Sequence, residues 1–386
     1  MVREYPHSRH IIISPHHPFT SDPPDPCDLP RNERKMRPAP IDSLIRSGTK
    51  LYLDSIDPDL VTQNIEWGAV GATSNPIIIS NLIRTGRFDP LITELIRSGL
   101  DDHAICWKVT DTLVSSAQEK FHAIWASTRG NAGWVSFELD PLIEDTSVDL
   151  PHGDRVAKYI ALGKQWSKGH DNRMIKVPAT PAGLDALEEL AASGVTLNVT
   201  LIFTMRQYTL ARDAVWRGAQ RRATLANFKS VYSIFVSRID QFTSERYSEM
   251  PAAAQGLYGI VNAKRIWNAN SEFWGAKNTP LQQEIIFAST GTKNPNDPPW
   301  KYVSALAGSD IQTNPPETNA AVAASQQQFT SNLRSLPSQD ICDTLDRFVQ
   351  IDDLEKTLMK QGIDKFVAPQ KQLLQTIRDK RSALGS

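Results

Sequence analysis

Lys176 stands in the run MIKVPAT at 174–180, where alternate residues share a face: Met174 and Lys176 on one side, Ile175 and Val177 on the other. A lysine amine adds to a carbonyl carbon when it is neutral, and a group that can donate and withdraw protons must stand beside it. Other runs supply such groups. Asp54 lies in LYLDSID at 51–57, Asn75 in GATSNP at 71–76, Glu138 in VSFELDP at 135–141, and Asn198 and Thr200 in NVTLIFT at 198–204. Two carboxylates, two amides and a hydroxyl around one lysine suit carbonyl activation. Taken singly, each residue has a plainer reading: Lys176 as the partner of a structural carboxylate, Glu138 as that partner, Asp54 as a helix cap.

These residues converge only if the elements around them form a closed sheet. Eight short runs rich in β-branched and aromatic residues occur at 50–56, 69–75, 133–139, 173–178, 196–203, 230–237, 284–289 and 310–314. Helical spacing lies between many of them, at 58–67, 76–83, 153–166, 180–192, 204–220 and 255–274. Such alternation predicts an α/β fold, a single (β/α)₈ TIM barrel with extra C-terminal helices over 340–384. An open doubly wound sheet is the rival, but no G-x-G-x-x-G follows the first strand. On five runs the period-2 pattern sets apolar residues on one face and polar ones on the other. Tyr52 and Asp54 oppose Leu51 and Leu53, Ser136 and Glu138 oppose Val135 and Phe137, and Thr196, Asn198 and Thr200 oppose Leu197, Val199 and Leu201. Ser233, Phe235 and Ser237 likewise oppose Ile234 and Val236. Asp54, Asn75, Glu138, Lys176 and Thr200 fall in the later halves of their runs, the end where barrels carry their chemistry.

The bulk numbers narrow the partners. The 386 residues carry 42 basic and 43 acidic side chains, a formal charge of −1, so no global field draws in nucleic acid or an anionic membrane. Cys27, Cys106 and Cys342 are far apart and fit neither a disulfide framework nor a zinc site, which suits a cytoplasmic setting. The apolar stretch at 70–82 is broken by Thr73, Ser74, Asn75 and Pro76, and no membrane span is expected. Residues 1–40 are rich in proline and charge and read as a disordered extension before the catalytic domain at 41–386. That extension lacks the apolar core of a secretory signal, and its His7, His10, His16 and His17 match no metal-ligand pattern.

The ordered set LYLDSID, GATSNP, VSFELDP, MIKVPAT, NVTLIFT and YSIFVSRID (232–240) resembles the transaldolases, most of all the longer bacterial type, from about residue 45 to about residue 335. The resemblance implies a transferase of the pentose phosphate pathway that moves a dihydroxyacetone unit between ketose and aldose phosphates, with a Schiff base on Lys176 and neither metal nor organic cofactor. It implies that Asp54 exchanges a proton with the C4 hydroxyl and that Glu138 and Thr200 hold a water. Asn75 and Asn198 would bind the dihydroxyacetone half, and Ser233 and Arg238 the phosphate. Phe235 stands at an aromatic position whose identity bears on transfer against release. Shorter relatives carry a second arginine on strand seven; this chain has ASTGTKNP at 288–295, which makes Lys293 the second phosphate cation. Small sugar phosphates are then the expected partners, with no nucleic acid and no membrane, for a monomer or homodimer. A fructose 6-phosphate aldolase-like activity, an altered sugar and an idle barrel serving as a binding protein are the competing readings.

Overall fold

A computed structural model describes residues 37–384 of the chain. The expected extension over 1–40, with its four histidines, lies outside the described residues as far as residue 36. Eight parallel strands close into a barrel in sequence order: β1 (Lys50–Leu53), β2 (Gly71–Thr73), β3 (Trp134–Glu138), β4 (Arg173–Pro178), β5 (Leu197–Ile202), β6 (Ser230–Phe235), β7 (Glu284–Ala288) and β8 (Ile311–Asn314). Each strand falls inside one of the eight runs read from sequence. Closure is direct, since Lys50 to Leu53 pair with Ile311 to Asn314.

Most strands are shorter than their runs, and several are followed within a few residues by the cap of the next helix. Asp57 accepts from the amides of Asp59 and Leu60 at 2.9 and 3.1 Å and starts α2 (Pro58–Glu66), after α1 (Ala39–Arg46). Asn75 starts α3 (Pro76–Arg84) and Asp140 the 3-10 turn Pro141–Glu144. The sequence device is the same each time: an Asx side chain satisfies free amides, and a proline that needs no donor follows. Between β2 and β3 lie α4 (Asp89–Arg97) and α5 (Asp102–Ser127), then α6 (His152–Ser167) follows the 3-10 turn. Next come α7 (Pro181–Ala192), α8 (Met205–Gln220), α9 (Ser237–Arg246), α10 (Tyr258–Gly275), α11 (Lys301–Ala305) and α12 (Pro316–Ala324).

Strand parity separates two cores. Leu53, Val135, Phe137, Ile175, Val177, Val199, Ile234 and Phe287 pack outward on the helices. Tyr52, Trp134, Met174, Val231, Ile286 and Ile311 fill the lumen toward its amino-terminal end. Gly71 makes this filling possible: a Cβ there would come within 2.3 Å of the Tyr52 ring. One parity expectation fails. Leu201 joins the lumen group rather than facing outward with Val199, because the β5–β6 register shifts between Val199 and Ile202 and Leu201 takes a left-handed backbone, φ 56°. Such a conformation costs a leucine about 1 to 2 kcal/mol and turns its side chain to the mouth.

The chain ends with α13 (Gln339–Phe348) and α14 (Ile351–Leu384). The latter packs on α9 at one side of the barrel and on α3, α4 and α5 at the other, so it crosses the mouth as a strap. Ion pairs fix it at intervals: Arg246 with Asp353 at 3.2 Å, Lys371 with Asp145 at 2.6 Å and Arg381 with Asp102 at 2.6 Å. No helix among the described residues is long and apolar enough to cross a membrane.

Candidate active site

Lys176 rises from the middle of β4 into the lumen and is only 6% exposed. Its Nζ donates to Glu138 Oε2 at 3.1 Å and to the Ser74 carbonyl at 3.3 Å. Register brings this about, because Glu138 on β3 is the direct strand partner of Lys176 on β4. The aromatic ring of Phe366, from α14, lies 5.6 Å from the same Nζ and covers it.

Asp54, one residue past β1, accepts from Thr73 Oγ1 at 2.7 Å, and Thr73 is in turn 3.1 Å from Thr313 Oγ1 on β8. Burial raises the Asp54 carboxyl above its ordinary range, while the charge of Lys176 and the Thr73 hydroxyl pull the other way. Glu138 is raised by the same cause, burial, opposed by the charge and hydrogen bond of Lys176. Raised carboxyls exchange protons closer to neutral pH than free ones do, which is what proton transfer at a carbonyl requires. Thr200, fully buried on β5, has a hydroxyl with no hydrogen-bond partner among the described residues. A buried hydroxyl without a partner carries a cost that a substrate or water would relieve.

The amides and the phosphate candidates divide. Asn198 is locked in a relay, its Nδ2 donating to Ser136 Oγ at 2.9 Å and its Oδ1 accepting from Ser233 Oγ at 2.7 Å. Ser233 is therefore held in the lumen by Asn198. The Asn75 carbonyl oxygen is committed to the α3 cap, at 3.0 and 3.1 Å from the amides of Ile77 and Ile78, which leaves its NH₂ for any ligand. Phe235 stacks on Phe203 with centroids 5.6 Å apart, and the Arg238 guanidinium lies 5.7 Å from the Phe235 ring. Arg238 opens α9, with its Nη1 buried and unpaired. Lys293, in the loop after β7, is lowered by burial and then by the charge of Arg238.

Sequence reasoning passes over Thr73, Thr313, Phe203 and Phe366. Thr73 and Thr313 are lumen-facing positions of strands already recognised, so strand parity was the available signal. Phe366 belongs to a helix more than 180 residues further along the chain, and no local pattern places it over Lys176.

Fold and constellation together define the class: a (β/α)₈ enzyme with buried ionisable and polar groups gathered at the carboxyl ends of the strands. Comparison with known proteins makes the class specific. Residues 51–377 match the family model described as transaldolase/fructose-6-phosphate aldolase, and the chain belongs to that family. It is 29% identical over 363 residues to the transaldolase of Renibacterium salmoninarum, covering 87% of this chain and 95% of the relative. It is 30% identical to transaldolases of an Arthrobacter species, over 87% of this chain and 95% of the relative, and of Mycobacterium ulcerans, over 89% and 97%.

Proposed function

We propose that the chain is a transaldolase that carries dihydroxyacetone on Lys176 between sedoheptulose 7-phosphate or fructose 6-phosphate as donor and an aldose phosphate as acceptor. The observation that carries this reading is Lys176 Nζ, buried in the lumen 3.1 Å from Glu138, with the unpaired hydroxyl of Thr200 on the neighbouring strand.

The neutral amine attacks C2 of the ketose phosphate, and Glu138 with Thr200 holds the water through which the carbinolamine gains and loses protons. Dehydration leaves an iminium, the electron sink for the next step. Asp54 takes the proton of the C4 hydroxyl, the C3–C4 bond breaks, and its electron pair moves into the iminium to leave an enamine on Lys176. The aldose phosphate departs. The fixed amide of Asn198 and the free NH₂ of Asn75 hold the three-carbon unit until the acceptor aldehyde arrives, and the same steps then run in reverse. Ser233, Arg238 and Lys293 receive the phosphate, and Phe235 with Phe203 walls the pocket and favours transfer over release. The amine supplies the electron sink, so this chemistry needs no metal or organic cofactor. Every group named comes from one chain, which suits a monomer or homodimer, and sugar phosphates place the work in the cytoplasm.

Borohydride reduction with fructose 6-phosphate, followed by peptide mapping, should add a dihydroxyacetone-derived mass to Lys176. An adduct on another residue, or none, overturns the reading. Coupled assay with fructose 6-phosphate and erythrose 4-phosphate then separates transfer from release. Free dihydroxyacetone accumulating without an acceptor would make the enzyme an aldolase.

A further inference from the structure

Two cavities meet at the strap, and they differ in size by more than an order of magnitude. Beside Glu138 lies a narrow cleft of about 10 Å³, walled by Leu139, Pro178, Leu201, Ile363 and Phe366. That volume holds no more than one water. The other polar side chains of the cleft, Glu144 and Tyr159, are bound to each other at 3.0 Å, which leaves Glu138 as the acid that faces the space. Against the same helix runs a groove of about 480 Å³, open to solvent past the exposed side chains of Arg206, Lys356, Lys360 and Asp364. Ile363 lines both.

The partition between them is built by barrel and strap together. Gly362 lets α14 approach until a Cβ there would stand 3.0 Å from Leu201 and 3.6 Å from Phe203. Leu201 meets it with the left-handed backbone that turns its side chain to the mouth, and Phe203 carries the wall on to Phe235 by stacking. Phe366, 6% exposed, then sets its ring centroid 5.6 Å from Lys176 Nζ. An aliphatic side chain would only dehydrate that nitrogen. The face of an aromatic ring also attracts a cation, so it can shield the nitrogen while it carries charge as ammonium or iminium. Helix packing alone does not call for this ring. Leu354 and Leu358 before it and Leu373 and Ile377 after it are buried, and ion pairs at Asp353, Lys371 and Arg381 hold the helix.

Both fates of the enamine end with one water adding to C2: its oxygen becomes the ketone oxygen, the C2–N bond breaks and the electron pair returns to the amine. They part at C3. Transfer forms a bond from C3 to the acceptor aldehyde carbon, whereas release puts a proton there. A single confined water serves the common step, while a chain of waters reaching solvent would feed that proton. We propose that Phe366 and Ile363 form a water seal between the solvent groove and Glu138, and that this seal keeps the three-carbon unit on Lys176 until an acceptor arrives. This rests on the transaldolase reading of the site. It adds to that reading a second determinant of transfer against release, carried by the C-terminal helix rather than by a barrel strand.

The test compares Phe366→Ala and Ile363→Ala with Leu373→Ala, a truncation on the same helix that packs in the outer core and lines neither cavity. With fructose 6-phosphate and no acceptor, free dihydroxyacetone should appear about 10-fold faster in Phe366→Ala than in wild type, and about 3-fold faster in Ile363→Ala. Transfer to erythrose 4-phosphate should fall by less than release rises. Leu373→Ala should keep the wild-type ratio of release to transfer, however far its melting temperature drops. Ratios within about twofold of wild type in both wall variants overturn the proposal. So does an equal rise in Leu373→Ala, which would mean a loosened helix rather than a breached seal. Ile363→Ala, at a partly buried position, decides the matter if Phe366→Ala does not fold. Borohydride trapping on Lys176 keeps the two readings apart: an adduct with unchanged ratios defeats only this inference. If wild type gives no adduct, reductive methylation of Lys176 by formaldehyde and cyanoborohydride still decides it. Faster methylation in the wall variants than in wild type and Leu373→Ala supports the seal, and equal rates refute it.

Discussion

Two lysines are buried in the same barrel, and their surroundings differ by more than depth. Lys229, just before β6 at the amino-terminal end, is fully buried and donates to the Gln282 carbonyl and to Glu284 Oε2. Glu284 accepts in addition from Lys50 at 2.7 Å. Burial alone would raise the Glu284 carboxyl, but the charges and hydrogen bonds of Lys229 and Lys50 outweigh it and hold that carboxyl low. At the carboxyl end, Lys176 has one carboxylate and one carbonyl, and the neighbouring Asp54 and Glu138 are both raised. Lys229, Lys50 and Glu284 satisfy one another and lock the barrel floor, although burial also raises Asp310 there and the Tyr52 hydroxyl is buried without a partner. What sets the upper cluster apart is that its lysine lies between two raised carboxyls rather than beside one held low.

Exchanging the two lysines for neutral residues should give the largest effects, and of opposite kinds. Lys176→Ala removes the proposed nucleophile and should lower kcat about 10⁴-fold or more, with the melting temperature kept. Lys229→Met leaves Glu284 with an incomplete set of partners and costs about 3 to 5 kcal/mol in urea unfolding, while kcat of the folded fraction is retained. If Lys229→Met were stable but inactive, the division between floor and mouth would be wrong.

Glu138→Gln comes next. It keeps the size of the side chain but cannot take a proton, so kcat should fall about 10²- to 10⁴-fold. Thr200→Val should cost roughly 10-fold through the loss of one water contact, without destabilising the protein, since its hydroxyl has no protein partner to abandon. Single-turnover formation of the Schiff base checks both. Unchanged rates in both variants would take Glu138 and Thr200 out of the water-holding role.

Period-2 alternation made most of this arrangement readable in the sequence. Lumen residues such as Asp54, Ser136, Glu138, Lys176 and Asn198 are polar among apolar neighbours, and a closed sheet turns that alternation into a shared interior. Strand ends were less legible, because Asp57 and Asn75, a few residues past Leu53 and Thr73, satisfy helix amides instead of a ladder. The sequence reading names no element for 102–127, yet α5 runs there; its buried positions include Ile105, Cys106, Trp107, Val109 and Thr110, too continuous to leave one apolar stripe. Leu201 and Phe366 were illegible for a third reason. A register shift and a distant helix set them, and neither leaves a local pattern.

The smallest effect tests the comparison through pH. The Asp54 carboxyl is raised in the folded state, chiefly by burial, so the folded protein holds that proton more tightly than the unfolded chain does. Stability from this group is then lost as pH rises from the unfolded value of about 3.9 through the folded one. Asp54→Asn does not titrate, so its melting temperature should exceed that of wild type at pH 7 to 8, and the gain should vanish below about pH 4. Glu284 runs the other way. Its folded carboxyl is depressed, so its contribution is full above about pH 4.3 and is lost as pH falls through the folded value. Glu284→Gln should therefore melt lower than wild type at neutral pH, with the deficit narrowing on acidification. In melting curves from about pH 2 to 8, Asp54→Asn should lie above wild type at pH 7 to 8 and Glu284→Gln below it, the Glu284→Gln deficit closing only below about pH 4.3. Parallel curves would mean that floor and mouth are electrostatically alike, and the strain at the mouth would then lie in its backbone at Leu201 rather than in its charges.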